Sequence, residues 1–93
     1  MKTQTKLTWT GDVATALAAV GTKCYSNIFN DKHKTCRRLK FAVRELTDEQ
    51  LTKIQEVLQE RRPKHTVTVS RWNYGYWNTV VYYRSKTSVL YKD

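Results

Sequence analysis

Apolar residues recur at every second position in parts of this chain and at helical spacing in others, and the switches between the two divide it into elements. Thr3 to Trp9 alternates, with Leu7 and Trp9 on one side and Lys6 and Thr8 on the other, which predicts a first strand. Thr10-Gly11 breaks that pattern and Asp12 is placed to cap a helix. Val13, Ala16, Leu17 and Val20 then repeat at helical spacing, and Gly21 supplies a left-handed stop. Between Lys23 and Glu45 the reading is two strands around the polar loop Asn30-Asp31-Lys32-His33. Extending the first helix through Cys24 and Ile28 is the alternative. The second of these strands carries Leu39, Phe41 and Val43 on one face, and Arg38, Lys40 and Arg44 on the other.

The clearest element follows. Thr47-Asp48-Glu49-Gln50 has the hydroxyl and amide of a capping box, and Leu51, Ile54, Val57 and Leu58 form one apolar stripe. Arg61 and Arg62 suit the negative end of that helix, and Pro63 stops it. His65–Trp72 and Tyr76–Arg84 predict a closing hairpin around Asn73-Tyr74-Gly75. With Tyr74 and Gly75 as its loop, Trp72 faces Trp77, Val69 faces Val80 and Val67 faces Tyr82. A short edge strand at 87–91 completes the set.

The order is then β-α-β-β-α-β-β: an α+β two-layer sandwich of ferredoxin-like type, with two helices on one face of an antiparallel sheet. Residues 1–93 make a single domain, because two cores of half this size would bury too little surface. Leu39, Phe41, Val43, Leu51, Ile54, Leu58, Val67 and Val69 are the expected core, with Trp9 beside them.

Charge changes this picture more than composition does. Lys and Arg number 17 against 8 Asp and Glu, a formal net charge of +9. The surplus is uneven: 12–46 and 63–93 carry +4 each and 1–11 carries +2, while the helical stretch 47–62 carries −1. A phosphate backbone is the commonest partner for such an excess, and an acidic protein surface is the other. No apolar run reaches the ~20 residues of a membrane span, and the opening residues lack the apolar stretch of a signal peptide, so a cytoplasmic location is the expectation. Cys24 and Cys36 read as reduced thiols. With His33 and His65 they lack the paired spacing of a metal site, so neither metal nor cofactor is expected.

One sheet face is left uncovered by helices, and alternation assigns its side chains. Lys6 and Thr8 come from the first strand, and Arg38, Lys40 and Arg44 from the third. Tyr25 and Phe29 join them if the middle hairpin turns at Asp31-Lys32. The last hairpin adds Trp72, Trp77, Val81 and Tyr83, on the condition that Val67, Val69, Val80 and Tyr82 face inward. Basic groups interleaved with rings are what single-stranded nucleic acid requires, since cations neutralise phosphates and rings stack on bases. The Gly-aromatic run that marks RNA-recognition sheets is absent from Arg38–Val43. The hairpin tip, with Arg71, Trp72, Tyr74, Tyr76 and Trp77, is a second concentration of contact residues. Trp72 and Trp77 could equally form a cross-strand pair that only holds the hairpin together. No phosphate loop, nucleophile motif or carboxylate pair supports catalysis. The expectation is a small regulatory binder of single-stranded RNA or DNA. The alternative is a regulator or inhibitor that docks on an acidic partner protein.

Overall fold

A computed structural model describes residues 8–25, 28–33 and 35–86, apart from the side chain of Tyr74. The expected first strand lies largely outside the described residues, Lys6 included, as does the edge strand at 87–91. What is described at its end is helical. Helix α1 spans Trp9–Ala19, and Thr8, in extended conformation, is its N-cap. The Thr8 hydroxyl accepts from the Gly11 amide at 2.9 Å. Gly11 is therefore no strand breaker: a Cβ there would sit 2.6 Å from that same hydroxyl oxygen. Asp12, expected as the cap, lies inside the first turn instead and is buried. At the other end Gly21 has a φ of 78°. The Gly21 amide donates to Ala18 O and the Thr22 amide to Leu17 O, a Schellman stop.

Strand β1 spans Phe29–Lys32 and pairs antiparallel with β2, Cys36–Phe41. Asn30, Asp31 and Lys32 belong to the strand, so the hairpin turns three residues later than expected, where the His33 amide donates to Cys36 O. Helix α2, Asp48–Arg61, has both arms of the capping box between Thr47 and Gln50. Strands β3, His65–Tyr74, and β4, Trp77–Ser85, form the closing hairpin, with Gly75 (φ 61°) and Tyr76 as its loop.

The register of this hairpin corrects the sequence reading. Val67 pairs with Tyr83 and Val69 with Val81, and between Arg71 and Tyr74 strand β3 carries one residue more than β4. Trp77 pairs with Tyr74 rather than with Trp72. A shift of one residue turns a strand over. Val81 and Tyr83, expected outside, are fully buried, while Val80 and Tyr82, expected inside, lie on the open face.

The sheet order is β1-β2-β4-β3, all antiparallel. The α+β class holds, but β4 occupies the place beside β2 that a ferredoxin-like sandwich gives to its first strand. Among the described residues the order is α-β-β-α-β-β. Val13, Ala16 and Leu17 of α1, Ile54 and Leu58 of α2, and Leu39, Phe41, Val67, Val69, Val81 and Tyr83 of the sheet make one core. Both helices therefore cover the same face, and the expected core residues are buried, with Leu51 packed at the margin. Helix α2 also closes the edge of β3: Gln59 Oε1 accepts from the Val67 amide at 3.0 Å and Gln55 Oε1 from the Val69 amide at 3.1 Å.

Candidate nucleic-acid interface

The face away from the helices is built in rows by strand register. Phe29, Lys40, Val80 and Ser70 form one row across all four strands, and Asp31, Arg38, Tyr82 and Thr68 the next. Cys36, Arg84 and Thr66 form a third. The rings gather at the end nearest the β3–β4 loop. Lys40 Nζ lies 4.7 Å from the Trp72 ring centroid and 5.0 Å from that of Phe29. Phe29 is 6.3 Å from Trp77, and Trp77 is 5.1 Å from Tyr76, centroid to centroid. The Tyr25 amide donates to Ala42 O at 2.7 Å, which carries the β1 side of the sheet onward and sets Tyr25 5.8 Å from the Arg44 guanidinium. Phe29 and Tyr76 remain 48% and 71% exposed, and Tyr25 61%.

The cations on this face are not equivalent. Arg38 is tied to Asp31 at 3.0 Å, and His33 reaches the same carboxylate oxygen at 3.2 Å. The Arg38 guanidinium, assisted by His33, holds the Asp31 carboxyl below its ordinary pKa. That row is partly neutralised from within. Lys40 has no carboxylate partner among the described residues; its neighbours are the two rings. Arg44 is exposed and lies over Tyr25.

The expected site residues therefore separate. Lys40, Arg44, Trp72, Tyr76 and Trp77 come together at the hairpin end of the sheet, and Arg38 stands one row away. Arg71 does not join the open face: its guanidinium donates to Asp48 Oδ1 at 2.8 Å and to Leu46 O at 2.7 Å. Tyr83 is withdrawn from the site altogether, being 0% exposed. Lys6 and the Tyr74 side chain lie outside the described residues. Phe29 and Tyr25 enter the site, although the hairpin does not turn at Asp31-Lys32. Asp31 was not anticipated as a counter-ion; its strand position opposite Arg38 becomes visible only with the β1–β2 register.

A second cluster of rings and cations, at the far end of the strands, faces the helices. Arg62 lies 3.8 Å and Arg37 4.7 Å from the Trp9 ring centroid. His65 and Tyr83 meet the same ring edge-on at 5.3 and 4.6 Å. Asp12, 1% exposed, accepts from Arg61 and Arg62 at 2.8 Å each, which fastens the start of α1 to the end of α2. Burial, with Arg62 and Arg37 nearby, lowers the His65 pKa. This cluster packs against the core, with Trp9, Arg61, Arg62 and His65 half-buried.

Cys24 and Cys36 are free thiols, and no group of three or more His, Cys, Asp or Glu among the described residues is placed to hold a metal ion. No described helix is long and apolar enough to cross a membrane. No family model, no curated protein and no solved structure matches this chain.

Proposed function

We propose that this protein is a small regulatory binder of single-stranded nucleic acid, and that it binds through the hairpin end of its open sheet face. The observation that carries the reading is Lys40, an ammonium held between two rings, Phe29 and Trp72, with no carboxylate partner among the described residues. A surface lysine that served only solubility would need neither ring. Cation–π contact contributes about 0.5–1 kcal/mol at an exposed site, enough to hold the charge in place while leaving it able to meet a phosphate. Tyr25, Phe29 and Tyr76 are open to stacking, each stacked base being worth ~1–3 kcal/mol. A single strand suits this surface better than a duplex. The better-exposed helix, α2, carries acids in its first turn, which phosphates would repel in a groove.

Tryptophan fluorescence tests the reading. Trp9 lies under Arg62 and Arg37 on the helix side, so quenching by a single-stranded oligonucleotide must come from Trp72 and Trp77. The expected result is saturable quenching that disappears in the Trp72→Phe, Trp77→Phe double variant. Quenching undiminished in that variant, or no binding even at low salt, overturns the proposal. In the second case an acidic protein surface becomes the partner to seek for the same cations.

A further inference from the structure

Beside the ringed lysine a cavity of about 410 Å³ opens under the hairpin end, between the Arg44–Leu46 segment and the bulge of β3. That volume lies within the range of small-ligand sites. Its deep side is formed by residues with little exposure, Leu46 and Thr79, and Trp72 stands in its wall. Half-buried Leu51 and Asn78 and the exposed Arg44, Glu45, Arg71 and Asn73 complete the lining. Trp72 therefore belongs both to the sheet face, through Lys40, and to the cavity.

The polar groups of the lining differ in how they are held. Arg71 is fixed by Asp48 Oδ1 and Leu46 O, and the Asn78 amide by the backbone N–H and C=O of Val43. These are the walls. The Glu45 carboxylate and the Asn73 amide have no hydrogen-bond or ion-pair partner among the described residues. The cavity thus combines an indole for stacking, the Arg44 guanidinium, which has no carboxylate partner among the described residues, the Arg71 guanidinium already paired with Asp48, and an unpaired carboxylate and carboxamide. Positive charge selects an anion, yet a carboxylate within the same lining disfavours a plain one. A ligand that carries a phosphate at one end and N–H donors at the other satisfies both.

We infer that this cavity takes one nucleotide unit whose base presents adjacent N–H donors, guanine above all. Its base would lie on Trp72 with its edge toward Glu45 and Asn73, and its phosphate toward Arg44. The inference rests on the reading that this end of the sheet receives nucleic acid, and it adds a base preference at one position. Guanine offers a ring N–H and an amino group side by side, which a carboxylate accepts as a pair. Uracil offers one N–H between two carbonyls, which the carboxylate would repel. A bidentate pair of this kind discriminates between bases by about fivefold or more.

The test is an NMR titration of the full chain with guanosine 5′-monophosphate, uridine 5′-monophosphate and inorganic phosphate, alongside an all-uridine oligonucleotide. Saturable shifts of the 44–46 and 72–73 amides are expected, with the guanosine nucleotide at least about fivefold tighter than the uridine one. Glu45→Gln should erase that preference and leave the all-uridine strand bound as before, because Glu45 lies off the sheet face. Lys40→Ala should do the reverse. Equal binding of the two nucleotides, or of inorganic phosphate, would reduce the cavity to a charged patch and overturn the inference. Oligonucleotide binding without any saturable mononucleotide shift would likewise overturn it while leaving the sheet-face reading in place. Nucleotide shifts with no oligonucleotide binding would uphold the cavity and remove the face.

Discussion

Gly11 shows how one residue's meaning depends on a single neighbouring atom. In a helix interior glycine costs up to ~1 kcal/mol relative to alanine. Here a methyl group would meet the Thr8 hydroxyl at 2.6 Å, so Gly11→Ala exchanges helix propensity against the cap. Alanine at this position should bring no gain in the native chain, and about 1 kcal/mol in a Thr8→Ala background, where the cap is already gone. Urea unfolding of the four-protein cycle measures it; equal effects in both backgrounds would show that cap and glycine are not coupled. Asp12 is the converse case, a carboxylate taken out of water to hold two guanidinium groups. Asp12→Ala should cost roughly 3 kcal/mol, toward the lower end for an orphaned ion pair because Arg61 keeps a third of its side chain in solvent. A loss below ~1 kcal/mol in the same unfolding assay would mean that this junction does not hold α1 to α2.

Elements defined by local chemistry were legible in the chain, and those defined by partners were not. Helix α2 could be read almost to the residue, because its capping box, stripe and proline lie within its own stretch. The outward alternation of Arg38 and Lys40 was equally plain. The bulge in β3 was invisible: one extra residue between Arg71 and Tyr74 has no composition of its own, yet it sends Tyr83 into the core and Tyr82 out. The start of α1 was hidden for another reason, since Thr8-x-x-Gly11 satisfies a strand ending and a helix cap alike. The site was legible to the same extent. Lys40, Arg44 and Trp72 followed from alternation, whereas Asp31 and the role of Phe29 needed the β1–β2 register. The two glutamines of α2 that close the edge of β3 belong to this scale too. Gln59→Leu should leave the Val67 amide without its acceptor, cost ~1–3 kcal/mol, and expose an edge that invites pairing with a second copy. Thermal unfolding with light scattering checks both effects; a variant of native stability would show that water serves that amide as well.

At the scale of the molecule, charge is distributed over two ends with opposite requirements. The end around Trp9 packs Arg37, Arg62 and His65 against the core, and there the His65 ring is held neutral by burial and by the two guanidinium groups. Its folded pKa lies below the unfolded value near 6.5, so the unfolded chain takes up the proton first. Stability from this residue is present above pH ~6.5 and is lost as pH falls below that value toward the folded pKa. The melting temperature should therefore drop on acidification from pH ~7, and the drop should shrink in His65→Gln. An identical pH profile for the variant would place the acid sensitivity elsewhere. At the other end Lys40 is half-buried between its rings and Arg44 is exposed, and the proposed function depends on that difference. The most direct measurement is the affinity of a single-stranded oligonucleotide across a salt series, for the native chain and for Lys40→Ala. If Lys40 meets a phosphate, its removal should weaken binding to all sequences alike and lower the salt slope by about one. A slope and an affinity both unchanged by Lys40→Ala would contradict the account.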